Sequence, residues 1–235
     1  MGRKGIILNI KDKLEESALN RKLSECNRSY LGFSMIGHEC KRYLWLHYHH
    51  PELSEKPSGN ICRIWENGKE IEHKILSELD NAGYNISGFQ IKNSLLGGLF
   101  CGHNDGIIEI DGEKYILEIK SASDRNFKLF QKHGVRQHPI YGSKYYAQGI
   151  LYSGCEDLQG TLYIIENKNN QDIYTEIVYF NPDDFEKLIN KAESIIFSGV
   201  PPTGISYRKD WYQCIHCEFN TDEACRKTWE GESDF

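Results

Sequence analysis

The feature that most constrains this chain is the pair Asp111-Gly112, set between two alternating apolar runs, Gly106 to Ile110 and Glu113 to Ile119. Asp-Gly in that setting is the strongest short-range signal for a β-hairpin. With these two residues as the turn, Ile110 faces Glu113, and counting outward sets Asp105 directly opposite Glu118. Side chains alternate along a strand, so Asp105, Ile107, Glu109, Lys114, Ile116, Glu118 and Lys120 share one face. Ile108, Ile110, Tyr115, Leu117 and Ile119 form the other, a core face. Glu109 and Lys114 make a cross-strand ion pair in this register. Asp105 and Glu118 do not, because like charges directly opposite destabilise a sheet. A divalent cation is the natural compensation, since Mg²⁺ is held by one or two carboxylates together with water and substrate phosphate. A solvated acidic face is the plainer alternative, and the rest of the chain weighs between them.

At 235 residues the chain is one large domain or a domain with a small appendage, and it buries enough surface to need no disulfide staples. Hydrophobic residues make up 39% and charged residues 26%, which is a globular and not a disordered composition. A net charge of −6 argues against a globally basic nucleic-acid coat, but a local basic stripe suffices for a DNA enzyme. No stretch approaches about 18 consecutive apolar residues, so no membrane span is expected. Met1 to Ile10 has no signal-peptide core, and the eight cysteines suit a reducing, cytoplasmic setting, a host cytoplasm for a phage-encoded chain included.

Periodicity and capping predict a polar helix over Lys11 to Leu31 and a second over Met35 to His49, capped by Ser34 and ended by Pro51. A long amphipathic helix is predicted over Ile64 to Ala82. Strands follow at Tyr84 to Ile91 and Leu95 to Cys101, then the hairpin. Helices are predicted at Phe127 to His133, Tyr145 to Ser153 and Pro182 to Phe197, with strands at Thr161 to Glu166 and Ile173 to Tyr179 between the last two. The expected architecture is α/β, a central mixed sheet flanked by helices. The expected division is an N-terminal helical segment over 1–33, a core over 34–200, and an irregular cysteine-rich tail over 201–235 that packs with the Cys40 helix.

Three features gather around the hairpin. The long helix carries Glu72 and His73, four and five residues after Gly68. Gln148 and Tyr152 share a helix face at i, i+4. Lys128, Lys132, Arg136 and Lys144 make a basic stretch interleaved with aromatics. Together with Gly102-His103-Asn104-Asp105-Gly106 and Leu117-Glu118-Ile119-Lys120, this pattern resembles the PD-(D/E)XK nuclease superfamily, in its RecB-like, Cas4-like and phage exonuclease branch. The likeness runs from about Ser34 to Cys225. It implies a restriction-endonuclease-like core and a Mg²⁺ or Mn²⁺ ion held by Asp105, Glu118 and the Ile119 carbonyl. Glu72 is the favoured further ligand and His73 the alternative, because the helix motif of such proteins is displaced by one residue here. Lys120 would orient or activate water and offset developing charge. Gln148 and Tyr152 would position Lys120 or the DNA backbone, and the four basic residues would meet DNA.

Cys214, Cys217 and Cys225 form a C-x₂-C-x₇-C cluster in the tail, and Cys40 lies far upstream. RecB-like and Cas4-like nucleases often bind a [4Fe–4S] cluster with one early and three late cysteines, which this pattern resembles. Cys₄ ligation also suits structural zinc, the alternative. Either would clasp the two ends of the chain together. Cys26, Cys62, Cys101 and Cys155 read as small buried hydrophobes. The leading expectation is a metal-dependent deoxyribonuclease, an exonuclease on DNA ends or single strands in recombination, repair or phage DNA processing. A recombination, repair or CRISPR-adaptation protein would be its partner. The rivals are a catalytically silent DNA-binding or scaffold subunit of the same fold, and a zinc-dependent interaction module.

Overall fold

Asp111 and Gly112 take positive φ, 52° and 84°, and turn β5 (Gly106–Ile110) back into β6 (Glu113–Ala122). Glycine tolerates such a conformation at no steric cost, which is why the pair makes a tight hairpin. The structure, a computed structural model, describes residues 3–25, 29–206, 208–227 and 229. The ladder pairs Ile110 with Glu113, Glu109 with Lys114, and so on to Gly106 with Leu117, so the next residues outward are Asp105 and Glu118. No ion pair joins Glu109 to Lys114 among the described residues. Glu109 instead accepts a long hydrogen bond, 3.5 Å, from Asn85.

β6 is the middle strand of a five-stranded mixed sheet, ordered β2-β5-β6-β7-β8, with β2 at Asn85–Ser87, β7 at Gly160–Asn167 and β8 at Ile173–Tyr179. β6 and β7 are parallel. A parallel neighbour requires a crossover, and α4 (Asp124–His133) and α5 (Gly142–Cys155) supply it. One face of the sheet buries Ile108, Tyr115, Leu117 and Ile119 against Ile71 and Ile75 of α3 (Gly59–Asn81). The other buries Ile116 against Ala147, Leu151 and Tyr152 of α5. Both faces of β6 are therefore covered, and Glu118 is 0% exposed, against the plainer alternative of a solvated acidic face.

The strands expected ahead of the hairpin, which with it would make one meander, are split between two sheets. β3 (Lys92–Leu95) and β4 (Phe100–His103) leave the main sheet and join β1 (Leu31–Gly32) in a second sheet ordered β1-β4-β3. β1 runs parallel to β4, Leu31 beside Phe100, so Leu31 is strand and not the end of the first helix. That helix, α1, spans Arg3–Leu23 and packs on α3 with Ala18 buried.

The second helix, α2, spans Lys41–His49, and its cap is Cys40 and not Ser34. The Cys40 sulfur accepts a hydrogen bond from the Tyr43 N–H at 3.4 Å. Upstream the chain makes turns pressed onto the start of α5, so close that a Cβ on Gly37 would lie 2.1 Å from the Ser143 carbonyl oxygen. That tertiary contact outweighs the local capping signal of Ser34. α6 (Pro182–Ile196) adds Ala192, Ile195 and Ile196 to the cluster that holds Leu44, Trp45 and Leu46 of α2. The tail folds over α2. Phe219 and Ala224 enter the same cluster, the Tyr43 hydroxyl donates to Glu218 at 3.0 Å, and Arg42 donates to the Lys227 carbonyl at 3.1 Å. Among the described residues no helix is long and apolar enough to cross a membrane.

Candidate active site

The chain crosses from the small sheet to the large one between His103, the end of β4, and Gly106, the start of β5. Asp105 sits in that crossing and is 8% exposed. Its Oδ2 accepts the Ile119 N–H at 2.8 Å, which fixes the carboxylate against β6. Glu118 is held beside it by the hairpin register. Glu118 Oε2 accepts a hydrogen bond from Lys120 Nζ at 2.5 Å. Its other oxygen, Oε1, is buried with no partner among the described residues. Asn104, 0% exposed, likewise has no partner for its Oδ1 and Nδ2 there.

Burial raises the Glu118 carboxyl to about 8, and the neighbouring Asp105 pushes the same way against Lys120. Burial also raises Asp105, opposed by Lys120 and by the Ile119 N–H. For Lys120 burial alone would lower the ammonium, but Glu118 and Asp105 outweigh it and keep it protonated. Glu72 on α3 is raised by burial and then by Asp105, which places its carboxyl within electrostatic reach of the pair. The Glu72 Oε1 accepts a hydrogen bond from Gln90 at 2.9 Å. His73, the alternative, is exposed.

Gln148 and Tyr152 of α5 are joined to each other and to the chain ahead of Asp105. Gln148 donates to the Tyr152 hydroxyl at 3.3 Å, and Tyr152 donates to the His103 carbonyl at 2.7 Å. Both side chains are buried. They pin the segment that carries Asp105. Lys120 is supported by a residue the motif search missed. Its Nζ lies 5.6 Å from the centre of the Tyr145 ring, and Tyr145 stacks on Tyr141 at 5.4 Å and 10°. Tyr145 precedes Gln148 by three residues on one helix face, a spacing that could have revealed it. Gln90 was also missed, and no local pattern marks it.

Of the four basic candidates, two are paired with acidic side chains and remain exposed. Lys128 pairs with Asp124 at 2.8 Å, and Arg136 pairs with Asp184 at 3.3 Å while lying over the Tyr146 ring. Lys132 is exposed and Lys144 half-buried.

Cys40, Cys214, Cys217 and Cys225 line one small cavity between α2 and the tail. Burial pushes the Cys217 thiol up to about 12, with Glu218, Cys225 and Cys40 adding to it. Among the described residues, however, no three His, Cys, Asp or Glu side chains converge as ligands of a single metal ion. Of the other cysteines, Cys62 and Cys101 are buried, Cys155 is half-buried, and Cys26 lies outside the described residues.

No family model matches this sequence, and no curated protein matches it. Solved structures do resemble it. A protein designated SSO0001 is similar at a TM-score of 0.54 and 16% identity, over 89% of this chain and 94% of its own. An alkaline exonuclease, LHK-Exo from Laribacter hongkongensis, is similar at a TM-score of 0.50 and 11% identity, over 77% of this chain and 90% of that one. The fold is shared with an alkaline exonuclease. At these identities the likeness is one of fold, mixed sheets flanked by helices.

Proposed function

We propose that the protein is a Mg²⁺- or Mn²⁺-dependent deoxyribonuclease, acting as an exonuclease on DNA ends or single strands. The observation that carries this reading is Glu118 Oε1, a buried carboxylate oxygen without a partner among the described residues, facing a second buried carboxylate. Leaving one buried acceptor unsatisfied costs about 1–3 kcal/mol, even though Lys120 pairs with the other oxygen. A divalent cation removes that cost. Two carboxylates are enough for Mg²⁺, which keeps most of its waters, so a cage of three or more side chains is not required. Asp105, Glu118 and the Ile119 carbonyl would hold the ion, with Glu72 within reach through water. When bound, such an ion supplies an acidified water and a clamp on phosphate oxygens.

The chain's own residues do the rest. Asp105 stays fixed because Ile119 and the Tyr152–His103 contact hold both sides of it. Lys120, kept protonated between two carboxylates, offsets the negative charge that grows on the phosphate oxygens. The covered face of β6 limits bulk water, which strengthens each of these interactions. The intact Asp105, Glu118 and Lys120 set disfavours a catalytically silent scaffold.

The cysteine cavity belongs to the same proposal. Zinc needs four sulfurs about 2.3 Å from one point. Thiols that share a cavity without converging suit a [4Fe–4S] cluster better, because the cluster fills the space between them. DNA is the proposed partner.

The test is digestion of end-labelled linear and circular DNA, single- and double-stranded, with Mg²⁺ or Mn²⁺ and an EDTA control. Metal-dependent shortening from ends is expected. Circles cut as fast as linear DNA would make the enzyme an endonuclease. Intact DNA under every condition would remove the reading.

A further inference from the structure

A cavity of about 200 Å³ opens along β1, β4 and α5, lined by His103, two residues before Asp105, and by Gln90, which is bonded to Glu72. Tyr30, Ser34, Gln90 and His103 line its accessible side, and the buried Gln148 and Tyr152 line its interior. None of the steps above uses this space.

Its lining has the chemistry of a nucleobase site. Tyr30 offers a ring, and aromatic rings stack on any base. Gln90 and Gln148 each carry one acceptor and two donors, and Ser34 adds a hydroxyl, which suits the edge of a base. No lysine or arginine lines the cavity. A phosphate there would lose water without meeting a fixed countercharge. Lys92 lies over the Tyr30 ring, 5.6 Å from its centre, and outside the lining. The volume is below the roughly 300–1,000 Å³ of pockets for drug-sized ligands. It admits one base and not a base pair.

Gln90 adds an independent sign. It holds φ at 51°, an uncommon conformation for a residue with a side chain, of the kind found at ligand clamps. Its amide is bonded to Glu72. The wall of the cavity is thereby tied to the third carboxylate.

Resting on the nuclease reading, we propose that this cavity receives one unpaired base of a single-stranded DNA end, next to the phosphate to be cut, with Tyr30 as its stacking surface. The base must leave its helix to enter, so the site favours single strands and frayed ends over intact duplex.

The experiment is a binding scan with short single-stranded oligonucleotides, each carrying one abasic position, in Ca²⁺ to suppress cutting. In the wild-type protein one position is expected to weaken binding roughly tenfold or more. Tyr30→Ala should lose the same factor on intact DNA and flatten the scan, while Tyr30→Phe keeps the wild-type pattern. A flat scan in a wild-type protein that binds tightly would overturn the base site and leave the nuclease reading standing. So would affinity that follows a terminal phosphate and ignores the base beside it. A wild-type protein that neither binds nor cuts any DNA would remove both.

Discussion

Asp105 and Glu118 lie on either side of one tight turn, whereas Cys40 and Cys225 meet across nearly the whole chain. In the first region the strand register sets the spacing of the reactive groups before anything binds. Two like charges stay together because the Ile119 N–H and the Lys120 ammonium each stabilise one of them. A cation bound there, as proposed, would change charge and leave shape alone. In the second region loops and a helix cap bring four thiols around a cavity without making them converge. A cluster held there, as proposed, would draw the four thiols together, and its binding would be folding energy.

The sharpest way to break this contrast is Glu118→Gln. Cleavage is expected to fall to background, while the fold survives with some loss of stability, because the buried Lys120 ammonium keeps only Asp105 as a countercharge. Cleavage at the wild-type rate would end the carboxylate assignment, and a collapsed fold would show the hairpin site to be less rigid than claimed. Lys120→Ala comes next, with a loss of about 10²–10³ in turnover and little change in DNA affinity. Full turnover with weakened affinity would make Lys120 a phosphate anchor.

Cys40→Ser and Cys217→Ser test the other side. Both should lose metal and lower stability alike, by at least about 3 kcal/mol, or roughly 10 °C for a chain of this size. Anaerobic wild-type protein should be brown, with broad absorption near ~400 nm. Colourless protein with one zinc per chain would favour zinc, and stable variants of a metal-free protein would reject the clasp. The smallest effect belongs to Tyr145→Leu. Removing the ring beneath Lys120 should cost about 1 kcal/mol, roughly fivefold in turnover. Tyr145→Phe should retain the wild-type rate. Equal losses in both variants would point to the hydroxyl instead.

The hairpin was legible because its information is local, a turn pair and a period of two. α3 and α6 were legible from periodicity and from Pro182, although α3 starts at Gly59, five residues before the expected Ile64, behind a Ser58 cap that was not foreseen. The split of the meander was not legible. It depends on Leu31 and Gly32 pairing with β4 from far upstream, and two residues carry no periodicity. Ser34 failed as a cap because Gly37 is pressed on α5, a contact no window around Ser34 contains. At the site, the motif spacing pointed to residues but not to their partners. Tyr152 was expected to position Lys120 or the DNA backbone, and its bond to the His103 carbonyl was not foreseen. Gln90 became visible only through its backbone angle and its bond to Glu72.

The parallel pairing of β6 with β7 has a consequence in time. β5 and β6 close across a single turn, which takes on the order of microseconds. β6 meets β7 only after α4 and α5 have been formed and folded back, a far longer loop to close. During folding, and as the chain leaves the ribosome, the two carboxylates face each other before α5 arrives to bury them. The interval gives water and cations free access to a pair that the finished molecule encloses. Burial of the pair thus waits on the long-range contacts of α5, and the hairpin that aligns the two carboxylates does not.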